Sequence, residues 1–477
     1  MIIRLFLTCF FLFAATSAQA ATYYVATTGN NSNAGTIAAP WADPIYGAAQ
    51  LGAGDTLYLR AGTYIVPGGA GNNIRPFASN VTISGYEDED VFIDGGTAPT
   101  GTILVANGYN YITFKNMRMK GMVYMTNTTG SIVENMEIWE GGDGFTGSTD
   151  FGELIYINTT ESVTIRNNRL HDNVYSAASG GNNSPIIQVY KANNLLIENN
   201  DIYNSPMFGI YLKDYPTNVI VRYNHFYNCV QGAIQATGQV TGDNVAIYQN
   251  VFRNNGSSGS NIYQTGAMIL YGTLTNLKVY NNTFVNNYRD FNESVFSGNP
   301  FSVYIWNNIS YLPVQYHTFM ASQTTNYITY SDYNTFYNDG SWAYLRTNIK
   351  TTLADWQSAS GLDANSTTSN PNFVNASGTT PADFKRTIYT TDGRGGAYAS
   401  IKGAYITGEE CIGYDCEGTN PPSPTCSDGI QNGDETGVDC GGSCPACETP
   451  PFGNGMRIST AGNTRTGVGS MRIGAVE

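Results

Sequence analysis

Positive charge is scarce in this chain of 477 residues. The sequence has 23 lysines and arginines against 37 aspartates and glutamates, 3 histidines, and a formal net charge of −14. Proteins that bind nucleic acid or anionic membrane surfaces depend on a basic patch. The sequence therefore predicts no nucleic-acid partner, and an acidic glycan would need a local basic site or a bridging cation.

Long apolar runs are missing after the first twenty residues. Residues 1–20 combine a basic Arg4, an apolar run from Leu5 to Ala15 and a small-residue end at Ala18–Ala20. This pattern is typical of a bacterial-type secretory signal peptide and not of a membrane span. No later stretch is long and apolar enough to cross a bilayer. We expect an exported protein, either secreted or on the extracellular cell surface.

Cysteine is sparse and concentrated near the end of the chain. Cys9 lies in the signal peptide and Cys229 is isolated, while six others follow residue 408: Cys411, Cys416, Cys426, Cys440, Cys444 and Cys447. In an exported protein these six are expected to form disulfides, with the connectivity open. A zinc site at the CGGSCPAC motif is the alternative. Cys229 is expected to be a buried free thiol.

The change in composition after residue 408 predicts the domain organisation. We expect a β-domain over residues 21–408, a proline-rich linker with a cysteine pair over 409–425, a cysteine-rich module over 426–447 and a tail over 448–477 in which MRI occurs twice. The module is either a solvated, disulfide-stapled loop or a calcium site. Its oxygen donors are Asp428, Asn432, Asp434, Glu435 and Asp439.

Segments with a helical period are also missing, and a strand repeat takes their place. Eight segments of alternating aliphatic residues each contain an asparagine, and these asparagines are Asn116, Asn135, Asn168, Asn200, Asn224, Asn250, Asn282 and Asn308. Successive asparagines are 19 to 33 residues apart, a period that indicates a solenoid. We predict an all-β, single-stranded, right-handed parallel β-helix, since crossovers between parallel strands are right-handed.

The repeated asparagine has a physical reason in such a coil. Asparagine tolerates left-handed backbone geometry at a tight corner, and stacked amides can satisfy the backbone groups of the coils above and below. We expect the aliphatic and aromatic residues between the corners to form columns inside the coil.

The chain resembles the secreted pectate-lyase-like right-handed β-helix proteins, and most of all the branch of the alginate lyases and chondroitinase B. The resemblance covers residues 22–408 and rests on the entry segment YYVATTGNNSNAG, the asparagine-bearing coils and the segments SDYNTFYN, SNPNFVNASG and YASIKGAYI. It implies a capping helix at about 44–51 and closing coils near the end of the β-domain. It is weaker for function, because this fold has many activities.

A second strand precedes each asparagine strand and predicts a glycan-binding strip. Alternation places Ile155, Ile187, Ile210, Ile234 and Met268 inside. The outward face then carries tyrosines, which stack on sugar rings, and amides, which bond hydroxyl groups. The predicted substrate-binding residues are Tyr156, Gln188, Tyr190, Tyr211, Gln235 and Tyr271, and the expected partner is a polysaccharide.

Charged residues are concentrated between residues 153 and 225, and this stretch holds the candidate catalytic residues. β-Elimination from a uronate requires a group that neutralises the carboxylate, a base and an acid. Lys213 is the predicted base. The lyases that the chain resembles pair such a lysine with an arginine one coil later, where this sequence has Gln235.

Calcium is the expected cofactor, with Asp172, Asp201 and Asp214 as its predicted ligands. A glycoside hydrolase would instead need carboxylates that face one groove. Glu153 and the three aspartates are available, but they are not closely paired in the sequence, so this interpretation ranks below the lyase.

Arg222 and His225 have both a structural and a catalytic interpretation. Successive coils align Arg166, Glu198 and Arg222 in one outward column, and Arg169, Asp201 and His225 in another. Opposite charges on neighbouring strands are ordinary sheet stabilisation. Asp201 could equally orient His225 as a base, so both Arg222 and His225 remain catalytic candidates.

The leading functional hypothesis is a lyase that cleaves a uronate-containing extracellular polysaccharide. The alternative is a non-catalytic, glycan-binding or adhesive surface protein, and a trimeric tailspike is disfavoured by the signal peptide. We expect a monomer. An enzyme should have a cleft over Lys213, whereas a binding protein should have a flat and open tyrosine face.

Overall fold

The computed structural model describes thirteen ranges of the chain: residues 20–68, 71–96, 102–141, 152–173, 184–238, 242–258, 265–272, 274–293, 302–320, 328–338, 342–345, 348–395 and 400–414. The predicted signal peptide lies outside these ranges except for residue 20, and so do the cysteine-rich module and the tail. No helix in the described ranges is long and apolar enough to cross a membrane.

The described residues form 32 strands and two α-helices. The first part of the chain contains β1 (Thr22–Val25), α1 (Pro44–Gln50), β2 (Thr56–Leu59), β3 (Gly62–Ile65), β4 (Thr82–Gly85), β5 (Val91–Asp94), β6 (Thr102–Asn107), β7 (Thr113–Lys120), β8 (Met122–Thr129) and β9 (Ile132–Trp139). The central part contains β10 (Ile155–Glu161), β11 (Thr164–Arg166), β12 (Arg169–His171), β13 (Ile187–Asn193), β14 (Leu196–Glu198), β15 (Asp201–Tyr203), β16 (Phe208–Asp214), β17 (Thr217–Arg222), β18 (His225–Tyr227), β19 (Gly232–Gly238), β20 (Asp243–Tyr248) and β21 (Val251–Arg253). The last part contains β22 (Gly266–Gly272), β23 (Thr275–Tyr280), β24 (Thr283–Val285), β25 (Arg289–Glu293), β26 (Val303–Trp306), β27 (Ile309–Tyr311), β28 (Tyr316–Met320), β29 (Ile328–Asp332), β30 (Thr335–Tyr337), β31 (Ala343–Leu345), β32 (Asn348–Lys350) and α2 (Leu353–Ser360).

These strands wind into a parallel β-helix with three faces. The first face contains β6, β8, β10, β13, β16, β19, β22, β25, β28 and β31, each paired in parallel with the next. The second face continues from β11 through β14, β17, β20, β23, β26 and β29. The third face continues from β12 through β15, β18, β21, β24, β27 and β30. Only β31 and β32, among the described strands, pair antiparallel.

Columns of apolar side chains fill the interior, as predicted. Ile155, Ile187, Ile210, Ile234 and Met268 are aligned in register and fully buried. On the third face the rings of Phe226, Phe252 and Phe284 stack at centroid distances of 4.9 and 4.7 Å. Each coil therefore buries its apolar residues against the same type of residue one coil away.

A buried asparagine ladder stands at the corner between the second and third faces. Its members, bonded amide to amide, are Asn168, Asn200, Asn224, Asn250, Asn282, Asn308 and Asn334. Asn116 and Asn135, which come one residue early in their segments, lie outside this ladder. These two residues have φ of 57° and 53° and form a separate contact, with Asn135 Nδ2 donating to Asn116 Oδ1 at 3.2 Å.

The left-handed backbone at this corner also lies one residue earlier than predicted. At this corner the backbone has positive φ, between 51° and 56°, at Asn167, Asn199, Tyr223, Gln249, Asn281, Asn307 and Tyr333. Each precedes a ladder asparagine. The ladder asparagines are therefore selected by their buried amide bonds and not by a need for positive φ.

Helices close both ends of the coil. The predicted capping helix is present as α1, which begins after Asp43, whose side chain accepts a hydrogen bond from Ile45 N at 2.8 Å. At the other end α2, which was not predicted, buries Trp356 beneath the last coil, and its indole Nε1 donates to Asp363 at 2.9 Å. Trp356 also packs against Trp342 of the core, with ring centroids 5.5 Å apart.

The chain then turns back along the β-helix, which differs from the expected closing coils. The segment SDYNTFYN does form a coil, as β29 and β30. Beyond residue 370 the described residues, 371–395 and 400–414, lie across the corner and the third face, and we call them the return segment. Asn281 Nδ2 donates to Ile401 O, and Asn199 Nδ2 donates to Cys411 O at 2.7 Å. Residues 409–414 continue the same packing beyond residue 408, where the sequence predicts the end of the β-domain.

Apolar side chains on the outer surface of the third face explain why the chain turns back. Val251, Val285, Ile309 and Tyr311 point outward and are buried in a second core against the return segment, whose contributors include Phe373, Phe384, Ala404, Tyr405 and Ile412. Cys229 is a buried free thiol, as predicted, and burial raises its pKa to about 12.

Candidate functional site

The predicted glycan strip on the first face is aligned but not exposed. Tyr156, Gln188, Tyr211 and Gln235 stand in one column, residue opposite residue. Their exposed fractions are 9, 1, 6 and 3%, so the expectation of an open column is wrong here. Tyr271 belongs to β22, but its side chain is not among the described ones.

A β-bulge places Lys213 beside Tyr190. The register between β13 and β16 shifts after Val189, so that Tyr190 faces Asp214 and Lys213 is the extra residue. Bulges commonly re-aim a side chain. Lys213 Nζ lies 2.7 Å from the Tyr190 hydroxyl, 4.9 Å from the Tyr190 ring centre and 5.7 Å from that of Tyr211.

Amides and tyrosines surround this Lys213–Tyr190 pair. Gln188 Nε2 donates to the Tyr190 hydroxyl at 2.6 Å, so the tyrosine oxygen accepts from both an amide and a lysine. Asn158, in register with Tyr190, donates through Nδ2 to the Tyr156 hydroxyl at 3.2 Å. In contrast to the buried column, Asn158, Tyr190 and Lys213 are partly exposed.

The three predicted calcium ligands do not form one site. Asp214 ends β16 on the first face, whereas Asp201 begins β15 and Asp172 follows β12, both on the third face. Asp172 Oδ2 lies 2.8 Å from His171 Nδ1, and Asp201 Oδ1 lies 3.6 Å from His225 Nδ1. In the described parts of the chain no group of three or more His, Cys, Asp or Glu side chains could hold a metal ion. A calcium site built from these three residues is therefore wrong, and we derive no step through calcium.

The column that contains Arg222 is aligned as predicted, but its pairing and burial differ. Arg222 bonds Glu198 at 2.8 Å, while Arg166 bonds Glu134 at 2.7 Å instead of Glu198. Arg222 and Glu198 are buried, with 8 and 4% exposed, and not a surface pair. Burial alone would lower the pKa of Arg222, but the facing Tyr248 and Glu198 raise it overall. These contacts explain Arg222 as a structural residue.

The second predicted column, with Arg169, Asp201 and His225 in register, is also buried in part. His225 is 3% and Asp201 8% exposed, and Tyr414 of the return segment donates its backbone N–H to Asp201 Oδ1 at 3.3 Å. The Arg169 guanidinium lies 3.4 Å from Glu137 and over the ring of Tyr414. Sequence reasoning missed this cover, because its residues lie more than 200 positions downstream.

Comparison with known proteins agrees with this architecture. Residues 153–312 match the family model described as right handed beta helix region. The structure of pectate lyase Pel9A is similar at 17% sequence identity, covering 81% of this chain and 96% of that one, with a TM-score of 0.53. The fold is thus a right-handed parallel β-helix, similar to that of pectate lyase Pel9A.

Two further solved structures are less similar. XylC in complex with xylose covers 74% of this chain and 87% of its own at 10% identity and a TM-score of 0.44. PfbA, a surface adhesin of Streptococcus pneumoniae, covers 63% of this chain and 81% of its own at 14% identity and a TM-score of 0.44. A search of curated proteins finds no match.

Proposed function

We propose that this protein is exported and cleaves a uronate-containing polysaccharide by β-elimination, with Lys213 and Tyr190 as the acid–base pair. The observation that carries the proposal is the 2.7 Å contact between Lys213 Nζ and the Tyr190 hydroxyl on the first face. The fold of pectate lyase Pel9A supports it as an analogy of fold.

The pair can complete the proton transfers of the reaction by itself. In its basic form it removes the proton at C5 of the uronate, and the electron pair forms the C4–C5 double bond as the bond to the leaving oxygen breaks. The pair then returns a proton to that oxygen. Because the two groups share a hydrogen bond, the proton can pass between them, and the pair ends each cycle as it began.

The neighbouring side chains would hold the sugar. The amide of Asn158, which is partly exposed, can donate to the carboxylate or to a ring hydroxyl. Gln188 and Tyr211 hold Tyr190 and Lys213 in place from buried positions. Gln235 and Tyr156 support this layer from buried positions.

The experiment is the ultraviolet absorbance of the unsaturated uronate ends, measured with alginate, pectate, chondroitin and ulvan. We expect a rise with at least one polymer, a loss of about 10³-fold or more in kcat for Lys213→Ala and about 10²-fold for Tyr190→Phe. Lys278→Ala is the matched control, since Lys278 lies partly exposed on β23 of the second face, and we expect it to remain within twofold of wild type. Parallel assays with calcium and with a chelator show whether a metal contributes.

An absence of absorbance change with all four polymers would overturn the lyase proposal for those substrates. The alternative of a glycan-binding surface protein would then be tested by affinity electrophoresis in the same polymers. The open-face version of that alternative is not favoured, because four of its six predicted contact residues are buried.

A further inference from the structure

A cavity of about 670 Å³ lies between the third face and the return segment. Its floor contains Asp201, His225, Tyr227 and Arg253 of the β-helix. Its roof and walls are formed by the return segment and include Lys385, Tyr405, Glu409, Glu410 and Ile412. The volume is in the range of pockets that hold small molecules.

The acidic groups around this cavity are largely occupied by internal hydrogen bonds. Glu410 Oε1 accepts from Ile406 N and Thr407 N at 3.0 and 2.7 Å, and its Oε2 accepts from Gly408 N at 2.9 Å. Asp201 faces His225 and accepts from Tyr414 N. Glu409 is exposed and lines the cavity from the solvent side.

The basic groups, in contrast, have hydrogen-bonding capacity left. Arg253 Nε is buried and has no hydrogen-bond partner among the described residues. Its guanidinium lies 5.3 Å from the ring centre of Tyr227. Burial lowers its pKa, and the nearby Tyr227 and Asp383 partly oppose that shift. The Asp383 carboxylate itself accepts hydrogen bonds from Thr379 N and Thr380 N at 3.0 and 2.8 Å. Lys385 Nζ uses one donor on Gly408 O at 2.7 Å, and an ammonium group has three donors.

His225 supplies a group of a different kind. Its ring is 3% exposed, Nδ1 faces Asp201 Oδ1 at 3.6 Å, and Nε2 is buried without a hydrogen-bond partner in the described ranges. A carboxylate next to Nδ1 favours the tautomer with its proton there, which leaves Nε2 as an acceptor. Nε2 can then accept a hydrogen bond from a ligand hydroxyl.

We propose that this cavity binds a small sugar acid, with its carboxylate on Arg253 and Lys385 and a hydroxyl on Nε2 of His225. The site is on a different face from Lys213 and Tyr190, and the inference does not depend on cleavage by that pair. The apolar wall at Tyr405 and Ile412, both buried, can pack against the sugar ring.

The test is isothermal titration calorimetry with sodium D-galacturonate and D-galactose, which differ in the carboxylate. We expect galacturonate to bind wild type at least tenfold more tightly than galactose. The Lys213→Ala variant should bind galacturonate within twofold of wild type, because Lys213 lies on the first face and does not line the cavity. This variant therefore separates binding in the cavity from binding at the first-face site. Turnover is not measured, so failure of the lyase proposal cannot be mistaken for failure of this one.

Variants locate the binding site. We expect Arg253→Gln to weaken galacturonate binding at least tenfold. Arg118→Gln is the control and should have no effect, since Arg118 is exposed, pairs with Asp90 and does not line the cavity. The proposal is overturned if galacturonate binds no more tightly than galactose, if Lys213→Ala abolishes binding, or if the two arginine variants behave alike. If Arg253→Gln does not fold, the comparison of the two sugars in the Lys213→Ala variant decides the matter, because its first-face site is disabled.

Discussion

Asp290 and His317 are fully buried, and Ser310 Oγ contacts both of them through Asp290 Oδ2 and His317 Nδ1. Asn287 Nδ2 also donates to Asp290 Oδ1 at 2.9 Å. Burial raises the pKa of Asp290 to about 7 and lowers the pKa of His317 to about 3. Both groups are thus driven toward their neutral forms, in which a chain of hydrogen bonds can still connect Asp290 through Ser310 to His317.

These two shifts have opposite effects on stability. Asp290 binds its proton more tightly in the folded state than in the unfolded state. Its contribution to the free energy of unfolding is therefore present at low pH and is lost as pH rises toward about 7. His317 binds its proton more weakly when folded, so its contribution is present above its ordinary pKa and is lost as pH falls toward about 3. Between roughly pH 4 and 6.5 the two trends oppose each other.

Replacing either group should expose the trend of the other. Relative to wild type, we expect Asp290→Asn to gain stability as pH rises from 4 to 7 and His317→Gln to lose it, by about 1 kcal/mol or more over that range. Urea unfolding at several pH values measures both differences. Differences that do not change with pH would show that neither pKa is shifted by burial.

The Arg222–Glu198 pair leads to a second prediction at this scale. Removing one partner of a buried pair leaves the other charge unpaired, so we expect Glu198→Ala to lower the free energy of unfolding by about 3–5 kcal/mol. The matched control is Asp90→Ala, which breaks the exposed Arg118–Asp90 pair and should cost less than about 1 kcal/mol. Equal losses in urea unfolding would contradict the structural role of the buried pair.

At the scale of elements, asparagine ladders decide how the corners are built. Besides the predicted ladder there is a second buried one, in which Asn255 Nδ2 donates to Asn287 Oδ1 at 3.0 Å and Cys229 N donates to Asn255 Oδ1 at 3.1 Å. The recurrent NN pairs at 254–255 and 286–287 are the signal that could have revealed it. A third, exposed ladder includes Asn218 and Asn244.

The buried ladder should contribute more to the free energy of unfolding than the exposed one. Asn250 donates to Val221 O and Tyr248 O, both at 2.9 Å, and its Oδ1 accepts from Asn224 N at 2.9 Å. We expect Asn250→Ala to cost about 3 kcal/mol or more in urea unfolding, because each buried group left without a partner costs about 1–3 kcal/mol. Asn244→Gly is the control: it removes an exposed ladder amide at a positive-φ position that glycine accepts, and should cost less than about 1 kcal/mol. A similar loss in both variants would mean that the buried amides are not what stabilises the corner.

At the scale of the whole molecule, the return segment connects coils that are distant in sequence. Lys402, 1% exposed, donates through Nζ to Asn334 O at 3.2 Å, and Gly413 N donates to Tyr223 O at 2.8 Å. The segment also covers the outward apolar side chains of the third face, including Val251, Val285 and Ile309. It is therefore part of the β-helix unit and not a flexible linker in its described parts.

Truncation tests this role. A chain that ends at residue 370 should expose the second core, bind the dye ANS and unfold at a temperature lower by several degrees, because buried apolar area contributes about 25 cal/mol per Å². The control ends at Pro421, the last residue of the first compact unit, and should unfold like the full chain and bind no additional dye. Identical unfolding of the two truncated chains would show that the return segment adds no stability.

The coil, its repeat and most of its columns follow from the sequence alone, whereas its third face became evident in the structure. Alternation along a strand and repetition between strands are local properties, so Ile155 and Ile187, or Glu198 and Arg222, could be aligned from the sequence. The resemblance of the entry segment implied α1, and in the structure Asp43 and Pro44 are its cap and first helical residue.

Whether solvent or another segment covers the outward residues of those columns depends on the tertiary structure. The contact of Lys213 with Tyr190 depends on a bulge, which alternation does not reveal. The burial of His225 and the cavity above it depend on residues such as Lys385 and Tyr405, which are brought there by a change of chain direction after α2. Because outward positions look alike in sequence whether solvent or a distant segment covers them, exposure could be known only from the folded chain.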